Sequence, residues 1–411
     1  MHPFFANLNR KQYDKVVIVP KFRLRLIVIG VGLSLATGRW GAWIGLPNDG
    51  IFLIDLIVLL GILLVIIFDG ARFDYITLIL GIFLIFQLLR NPQFNFLLRV
   101  RDLLTFIYLE LFLLIRNQIS AISINYIYKV FRIATLFSLF WNLGVGLTLI
   151  PVLPSNRFSG VEIFSQRPDQ SGFVACIGIV VWSLTLTKSK IERIMNIWIL
   201  PMNLLSLLLQ PGRAGLLALL IALPLLASRI KKGPKFSRKG LVSFIFAILL
   251  VLPFVGIVQT FLPEQSSIKK FGFLDETGVA LFTGDSTAYG RKMGQTYVLN
   301  WTKEKHKLLV GAGPGYEILM ESGAVRWLSG NADVRYPHNW WVSLVSRFGL
   351  IGLACWFICA IATLKGVRSE DAGYQFLTII VSILVASTFG VIMESPFGII
   401  PFAFVTARLV N

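Results

Sequence analysis

The chain has 411 residues, of which 55% are hydrophobic and 15% charged, with a formal net charge of +18. A soluble domain carries roughly 25% charged residues, and the mean hydropathy here is +0.74, so a water-soluble fold is excluded as an expectation. The same hydropathy argues against nucleic-acid binding as the use of the positive charge, because Lys and Arg in a membrane protein hold loops on the cytoplasmic side.

The apolar runs are long enough to cross a bilayer, which needs about 20 residues per helix. Basic residues Arg10, Lys11, Lys15, Lys21, Arg23 and Arg25 precede the first run. They resemble a signal-peptide start, but no small-residue cleavage site follows, so a retained first helix is expected. Spans are then predicted near 24–45, 51–68, 74–90, 102–116, 130–150, 171–187, 194–209, 213–228 and 240–261. Three more follow near 339–364, 374–392 and 396–409. The first is interrupted by Gly38-Arg39-Trp40 and the fourth is short.

The reading is therefore an all-α polytopic membrane protein of about twelve transmembrane helices. Residues 1–261 form an N-terminal bundle of nine spans, 262–338 a long loop, and 339–411 the last three spans. With the N-terminus inside, the short inward segments hold 22 Lys and Arg and the short outward loops 6. That bias predicts both termini in the cytoplasm and the long loop outside. The loop carries Trp301, Tyr316 and Trp327 and is expected to fold against the bundle. Cys176, Cys355 and Cys359 lie in apolar runs without His or acidic neighbours, which suits packing better than a metal.

Several polar residues fall at the outward level. Arg213, in Gln210-Pro211-Gly212-Arg213-Ala214-Gly215, sits between two apolar runs. An arginine at membrane depth usually pairs with something, although it could snorkel to the interface. His338, in Tyr336-Pro337-His338-Asn339-Trp340-Trp341, falls where the loop enters the tenth span. At a helix start the dipole favours a neutral imidazole able to accept a hydroxyl proton. An interfacial histidine in an aromatic belt is the other reading. Arg291 by itself reads as a surface arginine, and His306 belongs to the solvated run Lys303-Glu304-Lys305-His306-Lys307. Gly311-Ala312-Gly313-Pro314-Gly315 is not a dinucleotide loop, because Tyr316 takes the third-glycine position and no βαβ context exists. No P-loop, D-x-D pattern or outward acidic cluster is present in the sequence, so no cofactor and no metal are expected.

Taken together, Pro337-His338-Asn339-Trp340-Trp341 and Arg347-Phe348-Gly349-Leu350-Ile351-Gly352-Leu353 resemble the signature of the O-antigen ligase and O-antigen polymerase superfamily. Gly290-Arg291, Trp301 and Leu309 to Gly315 resemble the segment preceding it, and Gly212-Arg213-Ala214-Gly215 its upstream arginine. The resemblance runs from Arg213 to Gly352, about a third of the chain. Arg347 departs from it, standing where many members carry an acidic residue.

The resemblance implies a metal-independent glycosyltransferase of the bacterial inner membrane, active on the outer leaflet in surface polysaccharide assembly. Its donor would be a polyprenyl-diphosphate-linked glycan and its acceptor a glycan or lipid, with other polysaccharide-assembly proteins as further partners. Arg213 and Arg291 would hold the pyrophosphate, and His338 would orient or deprotonate the acceptor hydroxyl, with Asn339 in support. Arg90, Arg99, Arg101, Arg157 and Arg167 could attract the anionic donor or serve the surface. A flippase or transporter of lipid-linked sugars is the alternative, which would place its site near the midplane rather than at one face; a structural scaffold is a third.

Overall fold

The computed structural model describes residues 21–43, 45–46, 51–155, 162–165, 168–183, 190–209, 215–220, 222, 286–328, 335–367, 373–388 and 390–410. Apart from a two-residue ladder (Gly45–Leu46 with Ile51–Phe52) and one isolated bridge, the regular structure in them is helical. In chain order the helices that matter are α1 (Phe22–Thr37), α2 (Leu53–Asp69), α3 (Tyr75–Leu89), α4 (Phe96–Asp102), α5 (Leu104–Leu114), α6 (Arg116–Ser120) and α7 (Ile124–Gly146). They continue with α8 (Pro168–Ser183), α9 (Lys190–Leu209), α10 (Ser286–Glu304), α11 (Ile318–Glu321) and α12 (Val325–Leu328). The chain closes with α13 (Trp340–Val367), α14 (Gly373–Ser387) and α15 (Pro396–Leu409).

The predicted spans and these helices correspond closely, with two exceptions. The span at 240–261 lies outside the described residues, and that at 213–228 is described only at 215–220 and 222, where it is helical. Among the described residues, two helices are long and apolar enough to cross a membrane by length and composition: Phe22–Trp43, counting its 3-10 end, and Trp340–Val367. The interruption at Gly38 is where α1 ends and that 3-10 turn begins. The short fourth span is an 11-residue helix, α5, preceded by the separate α4.

The outer faces of the helices explain the hydropathy. On α2, Leu56, Leu60, Leu63 and Ile67 are exposed, and on α3, Leu78, Ile82, Ile85 and Leu89. Both sets step by four, three and four residues, one stripe of a 3.6-residue helix. A water-facing helix would put charges on that stripe. Contiguous apolar stripes turned away from the core fit lipid contact.

The core sits around α15, every residue of which is buried. It packs on α1, α5, α6, α13 and α14, so the last segment of the chain is the axis of the bundle. Phe404 packs on Phe112 and Phe131, Phe402 on Trp356, and Phe397 on Phe52.

Polar groups gather at the two ends of the helices. At one end Lys21 and Arg23, at the start of α1, pair with Asp69 at the end of α2. Arg116 pairs with Asp74, Arg72 donates to Asn117 at 2.6 Å, and Arg408 donates to the carbonyls of Ile119, Ser120 and Ile122. The 15 residues of α3 then carry the chain about 22 Å to the other end, where Arg90 meets the residues that follow α10. Five of the basic residues counted on one side, Lys21, Arg23, Arg72, Arg116 and Arg408, therefore lie at one end of the described helices.

The described part of residues 262–338 carries helices α10 to α12 and packs against α13. Val298, Trp301, Ala312, Ile318, Leu319 and Ala324 form a small apolar cluster with Val342 of α13.

Candidate functional site

Helix α13 is not straight. Gly349 has φ 65° and ψ −164° inside α13, so the helix breaks there into a short first part and a longer second one. A break inside a buried stretch of helix frees backbone groups that must find partners. They find them in residues 308–313. Leu350 and Ile351 donate their N–H groups to the carbonyls of Leu308 and Leu309 at 2.9 and 3.1 Å. In return Ala312 and Gly313 donate to the carbonyls of Ser346 and Arg347, both at 2.8 Å.

Two glycines permit this approach. A Cβ on Gly311 would lie 2.1 Å from the Arg347 carbonyl oxygen, and one on Gly349 2.4 Å from that of Leu309. The Leu309 to Gly315 segment and the Arg347 to Leu353 segment, which appear as separate motifs in sequence, are thus the two halves of one interlock. The glycine-rich stretch serves as a buried connector.

A second set of partners closes the connector from the other side. Arg90 donates to the carbonyls of Val310 and Gly311 at 2.5 and 2.9 Å, and Asn91 to those of Ala312 and Pro314 at 2.9 and 3.3 Å. Arg99 donates to the Leu88 carbonyl at 2.6 Å. Of the arginines expected to face outward, Arg90 and Arg99 therefore hold backbone carbonyls, whereas Arg157 and Arg167 lie outside the described residues. Lys307 sits over the Tyr316 and Trp301 rings, 4.1 and 5.0 Å from their centroids, a cation–π arrangement. Burial and, second, the charge of Arg90 hold its ammonium below the usual lysine range.

Asp102 is the polar centre of this end. Its carboxylate is completely buried and accepts from Arg347 at 2.5 Å, the Gly315 N–H at 2.7 Å, the Tyr336 hydroxyl at 3.1 Å and Arg335 at 3.2 Å. Arg347 is also buried and donates further to the carbonyls of Arg335 and Tyr316 at 3.0 and 3.2 Å. Burial, and after it the charge of Asp102, raises the Tyr336 phenol well above its ordinary range, so it stays a neutral donor. Arg347 is tied to a carboxylate supplied by another helix, α4.

From this centre the chain leads directly to His338. Asn339 caps α13: its side-chain oxygen accepts from the N–H groups of Trp341 and Val342 at 3.0 and 3.4 Å. His338 thus precedes the cap rather than occupying the first turn, and it adopts a left-handed φ of 54°. That conformation is costly for a residue with a Cβ, and the hydrogen bonds on either side hold it. Gln295 of α10 donates to the Pro337 carbonyl at 3.3 Å and accepts from the Asn339 amide at 3.4 Å. Arg291 lies one helical turn before Gln295, exposed, and so on the same face of α10.

The structure therefore assembles His338, Asn339, Gln295 and the α10 face carrying Arg291 at one end of the bundle. Arg213 lies outside the described residues. Asp102, Gln295 and Arg335 are the parts missing from the sequence reading. Asp102 does leave a signal, as the acid that ends the arginine-rich stretch Arg90 to Arg101. Gln295 leaves one too, four residues after Arg291.

Comparison with protein-family models gives no match for this chain, and no curated protein matches it.

Proposed function

We propose that the chain transfers a glycan from a polyprenyl diphosphate carrier to a hydroxyl acceptor, at the outer face of a bacterial inner membrane. The observation that carries the reading is the Gln295 bridge, which holds the His338 turn against the helix bearing Arg291. A base next to fixed positive charge suits this reaction. As the glycosidic bond breaks, negative charge grows on the departing pyrophosphate, and a planar guanidinium can meet two of its oxygens at once. His338, in the turn that leads into α13, would take the acceptor's proton as general base. Arg213 belongs to the same proposal on the strength of the sequence resemblance, as does the order of spans with both termini cytoplasmic.

The test is gel analysis of surface and lipid-linked glycans in a strain carrying only the variant protein. His338→Ala should abolish glycan assembly while protein level and membrane insertion stay normal. Arg291→Lys should lose most activity if bidentate pyrophosphate binding is its role, since lysine brings a point charge without the fork. Short single-repeat glycans in the deletion strain would identify a polymerase; long glycans stranded on the carrier would identify a ligase. An unchanged glycan pattern in His338→Ala would sink the mechanism.

A further inference from the structure

We infer that Arg335 is a further anion-binding residue of this site, held beside His338 by Asp102 and able to turn one side of its guanidinium to a phosphate or pyrophosphate oxygen. The inference rests on the reading above only for the identity of the anion's carrier.

The first ground is the imbalance around Asp102. Two guanidinium groups share one carboxylate, and all three nitrogen donors fall on the same oxygen: Arg347 at 2.5 Å, Gly315 at 2.7 Å and Arg335 at 3.2 Å. A carboxylate oxygen has two lone pairs. The third donor is therefore the one held least, and by distance that donor is Arg335. The other carboxylate oxygen is taken by the Tyr336 hydroxyl.

The second ground is what remains of the Arg335 fork. Its Nε is buried and has no hydrogen-bond partner among the described residues, and one of its terminal nitrogens makes the Asp102 contact. Guanidinium donors prefer bidentate acceptors such as phosphate, and a buried donor left unmade is costly.

The third ground is position. The Arg335 side chain retains 15% exposure, against 3% for Arg347, so Arg335 can be reached whereas Arg347 is sealed in. It stands three residues before His338, on the far side of Pro337 from the Gln295 bridge. Arg101 and Glu394 also act electrostatically on neighbouring Tyr336, with opposite signs. At Asp102 itself the two guanidinium groups of Arg335 and Arg347 outnumber the one carboxylate. Arg347 neutralises Asp102 from within; Arg335 carries the charge left over.

The experiment titrates inorganic pyrophosphate into the purified full chain in nanodiscs, followed by calorimetry, with sulfate as a competing anion. Wild type should bind pyrophosphate, with sulfate competing weakly. Arg335→Gln should weaken binding about tenfold and Arg335→Lys by less, because the charge survives and the fork does not. Arg326→Gln, an exposed arginine bonded to Tyr297, serves as the control and should leave binding unchanged. The melting temperature of Arg335→Gln should stay close to wild type, since Asp102 keeps Arg347, Tyr336 and Gly315. Binding by Arg335→Gln within about twofold of wild type, or no binding by wild type, would overturn the inference, because a fork–oxyanion contact is worth more than that.

The two readings separate cleanly. Arg335-dependent pyrophosphate binding with normal glycans in His338→Ala would retain the anion site and remove the glycosyl transfer. Lost glycans in His338→Ala with unaltered binding in Arg335→Gln would do the reverse.

Discussion

Asp102 accepts from four groups that belong to the connector, the His338 turn and α13. Removing its charge leaves Arg347 buried with a guanidinium and no counter-ion, and breaking such a pair from one side costs about 3–5 kcal/mol. Asp102→Ala is therefore expected to lower the melting temperature sharply in detergent and to reduce protein level. Replacing both partners, as in Asp102→Leu with Arg347→Leu, should recover part of that loss, because the uncompensated charge goes with its partner. A double variant no more stable than the single one would show that the carboxylate acts mainly through Gly315 and Tyr336. The arrangement also accounts for Arg347 within the proposed site: charge at that point is fixed by an ion pair, so Arg347 is placed to shape the His338 turn rather than to touch a substrate.

At the scale of the elements, the interlock between residues 308–313 and the break in α13 sets where the His338 turn can lie. Its weak points are the two glycines at the closest approach. Gly349→Ala would put a methyl against the Leu309 carbonyl at a positive φ, and residues held in such conformations cost about 1–3 kcal/mol each before any clash. Amide hydrogen exchange should then speed up at Leu350, Ile351, Ala312 and Gly313 together, because those N–H groups make the cross-bonds. Exchange that rose at Leu350 alone would mean the connector is held by Arg90 and Asn91 without help from the break.

For the whole molecule, the prediction concerns orientation. Lys305, in the turn after α10, and Lys365, near the end of α13, are both exposed and lie toward opposite ends of the bundle. Cys176, Cys355 and Cys359 are buried, so background labelling should be low. In right-side-out vesicles an impermeant maleimide should label Lys305→Cys at once and Lys365→Cys only after lysis. That is the outcome required by the excess of Lys and Arg on the inward segments. Labelling of Lys365→Cys alone would invert the topology and move the proposed site to the cytoplasm.

The sequence by itself determined the helical class, most helix positions and the residues of the His338 turn. Each of these rests on local physics: apolar run length, proline and asparagine at a helix start, and stripes at a helical period. Only the tertiary structure decided that α13 breaks at Gly349, that the glycine-rich stretch fills the break, and that Arg90 and Arg99 bind carbonyls rather than face solvent. Only it revealed Asp102 and Arg335, because a charge in sequence carries no record of its partner. Asp102 lies 233 positions from Arg335 and 245 from Arg347, and no periodicity reaches that far. Burial makes the pairing obligatory once the helices pack, since a lone charge has no water to turn to.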